Sequence, residues 1–236
     1  MTRATLLALL LATTPALADQ TEREIAAQNA LRAAAAQATS LPDSDALLAA
    51  CPADIYASRR NLLRDMFQSD APHSHSYCHD HAAACAEACK TDLDGKACLA
   101  LAHALEMAGL PDLELPARRY HALACALGQA SGCTNRGGGM RNVPAVGDPW
   151  WPEPATVQQE TAKSDCLYRS FQAACTAGDS WGCAMLGQAQ ALGEGTAPDA
   201  VAARQHYLEA CNLAKDKGFA ACVFAREALD SLPPSP

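Results

Sequence analysis

Between His73 and His81 the chain reads His-Ser-His-Ser-Tyr-Cys-His-Asp-His, which gathers four of its seven histidines, a thiol and a carboxylate. Imidazole and thiolate are ligands that zinc and copper accept, so the tract is a candidate metal site with His73, His75, Cys78, His79 and His81 as ligands. A helix would turn His79 and His81 to different sides, so only a loop could gather them. The plainer alternative is a solvated loop, or a helix start with Asp80 as its capping residue. Zinc or copper here is the one cofactor the sequence suggests; the covalent haem signature Cys-x-x-Cys-His is absent.

The second chemistry-bearing set is twelve cysteines. The dipeptide Ala-Cys ends at Cys89, Cys125, Cys175 and Cys211, at spacings of 36, 50 and 36, and each copy is followed by Cys98, Cys133, Cys183 or Cys222. A period in the 30s marks a repeat array in which one unit is a helical hairpin. Two helices joined by a short connection bring each such pair together, giving four expected disulfides: Cys89 with Cys98, Cys125 with Cys133, Cys175 with Cys183, and Cys211 with Cys222. No Cys-x-x-Cys occurs, which favours structural bonds over redox catalysis. Cys51, Cys78, Cys85 and Cys166 remain. If helices over 54–68 and 79–89 form an antiparallel hairpin, Cys51 falls opposite Cys85. Cys78 and Cys166 then either bond each other, with the intervening chain folded back, or stay free.

The elements that must position these residues are helical. Half the residues are hydrophobic but only 5% are aromatic, and alanine runs recur, which suits closely packed helices better than a β-branched sheet. Residues 1–18, with Arg3, an apolar run from Leu6 to Leu11 and the exit Ala16-Leu17-Ala18, read as a secretory signal. The expected compartment is oxidising, a periplasm first or else the extracellular space, where an even cysteine count means disulfides. No later stretch is apolar enough for a membrane span. The 18 basic and 26 acidic residues give a net charge of −8, a poor match for nucleic acid or anionic lipid.

Residues 19–77 carry no repeat signature and are expected to cap the array, with helices near Thr21–Ala38 and Asp54–Gln68 separated by a break at Ser40–Asp45. Repeats follow over 78–229, interrupted by an insertion at about 137–156, and 230–236 is a disordered tail. The last full repeat shows the logic: Gly193 and Gly195 end one helix, Asp199 caps the next, and Ala203, His206, Tyr207, Ala210 and Cys211 line one face.

Gly182-Cys183-x-x-Leu186-Gly187, Gly193-x-Gly195, Asp199, Ala203, Tyr207 and Ala210-Cys211 together resemble the Sel-one-like repeat, a relative of the tetratricopeptide repeat, in its cysteine-rich secreted form. The unit before it matches through Phe171, Ala174-Cys175 and Gly178. The unit ending at Gly132-Cys133 matches through Ala117, Ala124-Cys125 and Gly128, but has Arg136 where the pattern wants leucine. The resemblance covers roughly residues 79–229. It implies an all-α fold, a right-handed αα-hairpin repeat solenoid with disulfide staples, here with an N-terminal helical cap.

Three functions compete. Stacked hairpins usually present a groove to a protein or peptide, so a non-catalytic interaction scaffold is the leading expectation. Trp150 and Trp151, in the proline-rich stretch Asp148–Pro154, are the candidate partner ledge; the alternative is that they cover the glycine-rich helix before them. The resemblance also carries β-lactam binding or weak hydrolysis, but Ser-x-x-Lys, Lys-Thr-Gly and His-Glu-x-x-His are all missing, and no catalytic residue is nominated. The third is metal or haem handling by the tract at 73–81.

Overall fold

The computed structural model describes residues 15–56, 74–151 and 154–233. The expected signal up to residue 14, most of the expected 54–68 helix, His73 and residues 234–236 lie outside that set. Among the described residues regular structure is entirely helical. Helix α1 is Pro15–Ala36, α2 Ser44–Ala49, α3 Pro52–Ile55, α4 His75–Asp80, α5 Ala82–Lys90, α6 Gly95–Met107 and α7 Glu114–Ala126. They are followed by α8 Ala130–Asn142, α9 Val157–Thr176, α10 Ser180–Leu192, α11 Ala200–Leu213 and α12 Ala220–Ser231. From α5 onward each helix packs on the next in chain order.

The repeated dipeptides have a local physical meaning. At the end of α7 the amide of Gly128 bonds to Cys125 O and that of Gln129 to Ala124 O; at the end of α9 Gly178 bonds to Cys175 O and Asp179 to Ala174 O. This is a Schellman stop, and it needs the left-handed backbone that Gly128 (φ 86°) and Gly178 (φ 87°) adopt. The chain then turns directly into the next helix, started over Gly182 by the Asp179 carboxylate, which accepts from the Gly182 amide at 2.7 Å.

Close approach of the two helix ends explains the glycine before Cys133 and before Cys183; Cys98 and Cys222 follow alanine. A Cβ on Gly132 would lie 2.7 Å from Cys125 N, and one on Gly182 2.7 Å from Ala174 Cβ. With the backbones that near, Cys125 and Cys133 have Cα atoms 4.7 Å apart and Cys175 and Cys183 4.4 Å, within reach of a disulfide. Cys89 with Cys98 and Cys211 with Cys222 pair likewise, at 4.7 and 4.4 Å.

The four remaining cysteines correct the sequence reading. Cys51 lies at disulfide distance from Cys166, and Cys78 from Cys85, so Cys51 does not meet Cys85 and neither Cys78 nor Cys166 is left over. The reason lies in the cores. Cys78 and Cys85 are buried in a first apolar cluster with Leu31, Leu101, Leu105 and Tyr120. Cys51 and Cys166 belong to a second, with Phe171, Leu186 and Tyr207.

The N-terminal part therefore does more than cover one end. α1 packs on α5, where Leu31 and Ala34 are buried and Ala34 O accepts from Tyr120 Oη at 2.9 Å. Beyond it the chain runs along later helices, α2 against α7 and α3 against α9. Ser170 Oγ accepts from the Ala53 amide at 3.1 Å, and Arg169 bridges to Asp54 at 2.5 Å.

Candidate functional site

The histidine tract is not gathered into a loop. Ser74 caps α4 by accepting from the Tyr77 amide, and His75–Asp80 is helical, so the capping residue is Ser74 rather than Asp80. Cys78 is fully buried and paired with Cys85, which removes it as a thiolate ligand. His79 Nδ1 sits 3.1 Å from Asp80 Oδ1, and the exposed His81 ring leans on Tyr77 with centroids 4.5 Å apart. His75 points elsewhere: with Ser74, Lys96, Leu99, Ala100 and His103 it lines a cleft of about 270 Å³.

The insertion is held by charge. Its Asp148 is 1% exposed and lies between two buried guanidiniums, those of Arg118 in α7 and Arg136 in α8. Arg136 donates to both carboxylate oxygens, each at 2.8 Å, and to Leu48 O at 2.9 Å, while Arg118 reaches Asp148 Oδ2 at 2.5 Å and also bonds to Val143 O. The Trp150 amide donates to Asp148 Oδ1 at 3.0 Å. Burial would raise the Asp148 carboxyl, but the Arg136 and Arg118 bonds outweigh it and hold the group below its usual range. Burial lowers the Arg136 guanidinium despite its partner.

The glycine run expected to begin the insertion is instead part of α8. Gly137 leaves room for the Phe171 ring, which a Cβ would approach to 2.9 Å, and Gly139 leaves room for Arg118 Nε, at 3.2 Å. The clamp thus uses the missing side chain of Gly139.

Beyond it, Trp150 is partly buried and donates from Nε1 to Ala49 O at 3.1 Å. Lys163 Nζ lies 4.9 Å from the Trp151 ring centroid. Trp150, Ala49, Pro149, Pro154, Ala162 and Lys163 wall a cleft of about 420 Å³. The two tryptophans therefore part company: Trp150 forms a wall of the cleft, and Trp151 receives a cation.

A third arrangement escaped the sequence reading. His103 and Glu106 lie one turn apart on α6, and His121 faces them from α7. Their donor atoms all lie within 4.8 Å of one another. His121 is 0% exposed; its Nε2 lies 3.0 Å from Glu106 Oε1, and its Nδ1 has no hydrogen-bond partner among the described residues. The His103 and His121 rings are 5.3 Å apart, and Asn135 Nδ2 lies 2.8 Å from His103 Nε2.

Burial, seconded by His121, pulls His103 down to about 4, so it is neutral at neutral pH. Burial would raise Glu106, but the adjoining His121 outweighs it and keeps the carboxylate ionised. The signal was present in the repeat register. Four residues before the cysteine of Ala-Cys stand Phe171 and Tyr207 in two units, and His121 in the unit of α7.

Comparison of the chain with protein-family models, with curated proteins and with solved structures gives no match.

Proposed function

We propose that this protein is an exported binding scaffold, a right-handed solenoid of αα hairpins of the Sel-one-like type, each stapled by a disulfide, that holds a segment of a partner protein without acting on it chemically. The repeat reading is supported by the two Schellman stops and by the glycine that follows each of them at a helix crossing. Export is supported by twelve cysteines that all pair at disulfide distance, a state suited to an oxidising compartment. Among the described residues no helix is long and apolar enough to cross a membrane.

The observation that carries the binding reading is the buried Arg118–Asp148–Arg136 clamp, which fixes the insertion so that the cleft beside Trp150 is formed before any ligand arrives. A preformed cleft spares the ordering cost that a mobile loop imposes on binding. Its walls are alanine, proline and indole, with Gln159 and Lys163 at the polar side. That chemistry suits a peptide segment with an apolar side chain next to a carboxylate.

Selection of a displayed peptide library on the oxidised protein tests this. Enriched peptides are expected to pair an apolar residue with an acidic one, and to bind at least tenfold more weakly to Ala155→Trp, which fills the cleft from an exposed position, and to Lys163→Glu. If no peptide is enriched, or if both variants bind as the parent does, the cleft is not the binding surface.

A further inference from the structure

We propose that His103, Glu106 and His121 form a binding site for a divalent transition-metal ion of the zinc type, on a part of the molecule separate from the cleft beside Trp150 and independent of its role. Two imidazoles and one carboxylate are a donor set that zinc accepts in four-coordinate sites, leaving one position for water. In such a site the donors stand roughly 3.3 Å apart. His121 Nε2 and Glu106 Oε1 are already 3.0 Å apart, and the whole set lies within 4.8 Å, so a small inward movement of His103 completes it.

The arrangement lacks the marks of a purely structural hydrogen-bond network. Buried polar atoms are nearly always paired, yet the fully buried His121 ring has no partner at Nδ1, while its Nε2 lies 3.0 Å from Glu106 Oε1. Asn135 stands where an outer partner is needed. A half-turn of its amide makes the oxygen accept from His103 Nε2–H and frees the Nδ1 lone pair, the pattern by which a second residue orients a metal-bound imidazole.

Access comes from two sides. His103 opens onto the cleft of about 270 Å³ that also holds His75, and Glu106 onto one of about 290 Å³ bordered by Asn135, Gly138 and Asn142.

The test is calorimetric titration of zinc chloride into the oxidised full chain after chelator treatment and dialysis, repeated with cobalt(II), whose visible absorption reports coordination by nitrogen and oxygen. One equivalent is expected to bind with a dissociation constant in the micromolar range or tighter. Glu106→Gln and His103→Gln, both at partly exposed positions that leave the fold intact by circular dichroism, should weaken it at least tenfold and bleach the cobalt spectrum. The double variant His79→Ala, His81→Ala should bind as the parent does. Absence of stoichiometric binding overturns the site. So does binding that survives both substitutions at 103 and 106, or that disappears with His79 and His81.

Discussion

Arg136 grips Asp148 with both terminal nitrogens, Nη1 to Oδ2 and Nη2 to Oδ1 at 2.8 Å each, and neither side chain is more than 1% exposed. The contact joins a departure from the recurring sequence pattern to the stretch that interrupts the pattern. Where Leu186 occupies the equivalent place in α10 and fills the core, Arg136 in α8 instead reaches the loop that follows its own helix. Arg118 closes the other side, so one carboxylate serves two guanidiniums, and the Leu48 and Val143 carbonyls take further donors.

Removing the shared carboxylate leaves two buried cations facing each other, whereas removing one cation leaves a neutral pair. Asp148→Ala is therefore expected to destabilise the protein by about 3–5 kcal/mol, the range for breaking a buried ion pair, and Arg136→Leu by clearly less. Urea denaturation under oxidising conditions measures both, and tryptophan emission should shift to the red in Asp148→Ala as Trp150 loses its tie. Equal losses in the two variants would mean that the carboxylate is not the hub.

The same group sets an acid response. Its folded pKa lies below the ordinary 3.8, so the unfolded chain binds its proton first as pH falls. The stability it contributes is complete above 3.8 and is lost as pH drops through the lower, folded value. Asp148→Asn cannot titrate. Its urea midpoint, lower at neutral pH, should fall less steeply below pH 3.8 than that of the parent; parallel curves would remove Asp148 from the acid response.

Sequence spacing made the all-helical fold legible because the constraints are local. Ala-Cys-x-x-Gly encodes a helix stop within five residues at Cys125 and Cys175, and the next Gly-Cys encodes the crossing; the same short spacing extends the pairing to Cys89 with Cys98 and Cys211 with Cys222, so each could be read from one helical hairpin. The pairing of Cys51 with Cys166 could not. It depends on which apolar core α3 joins, a tertiary fact with no local signature. The histidine tract drew attention by density along the chain, yet density along a helix scatters side chains around it. His103, Glu106 and His121 are brought together only by the packing of α6 on α7, and their one clue is a histidine in a column of aromatic residues.

The long-range cysteine pair should outweigh any of the short-range pairs. A bond across 115 residues removes about 4.8 kcal/mol of unfolded-state entropy on the chain-entropy estimate, against about 2.5 kcal/mol for one across 8. Replacing Cys51 and Cys166 by serine is thus expected to lower stability roughly twice as far as replacing Cys175 and Cys183. Peptide mapping without reduction should recover Cys51 linked to Cys166. A Cys51–Cys85 peptide would instead mean that the N-terminal chain packs on the other core.

Gly182 and Gly138 should respond in opposite senses to the same substitution. A methyl on Gly182 would meet Ala174 Cβ at 2.7 Å and Cys175 N at 2.8 Å, both on a neighbouring helix end that the cysteine pair holds in place. Gly182→Ala must push α10 away from α9 and is expected to cost about 1–3 kcal/mol. Gly138 lies within α8, a Cβ there meets nothing within 4 Å, and its φ is not positive. Gly138→Ala removes backbone freedom from the unfolded chain without a clash, and should stabilise by about 0.5–1 kcal/mol. Thermal melts of the two variants decide the matter: a drop for the first and a rise for the second follow if glycine serves helix crossing at 182 and merely leaves a cleft open at 138, whereas a drop for both would mean that α8 needs its bare surface along its whole length.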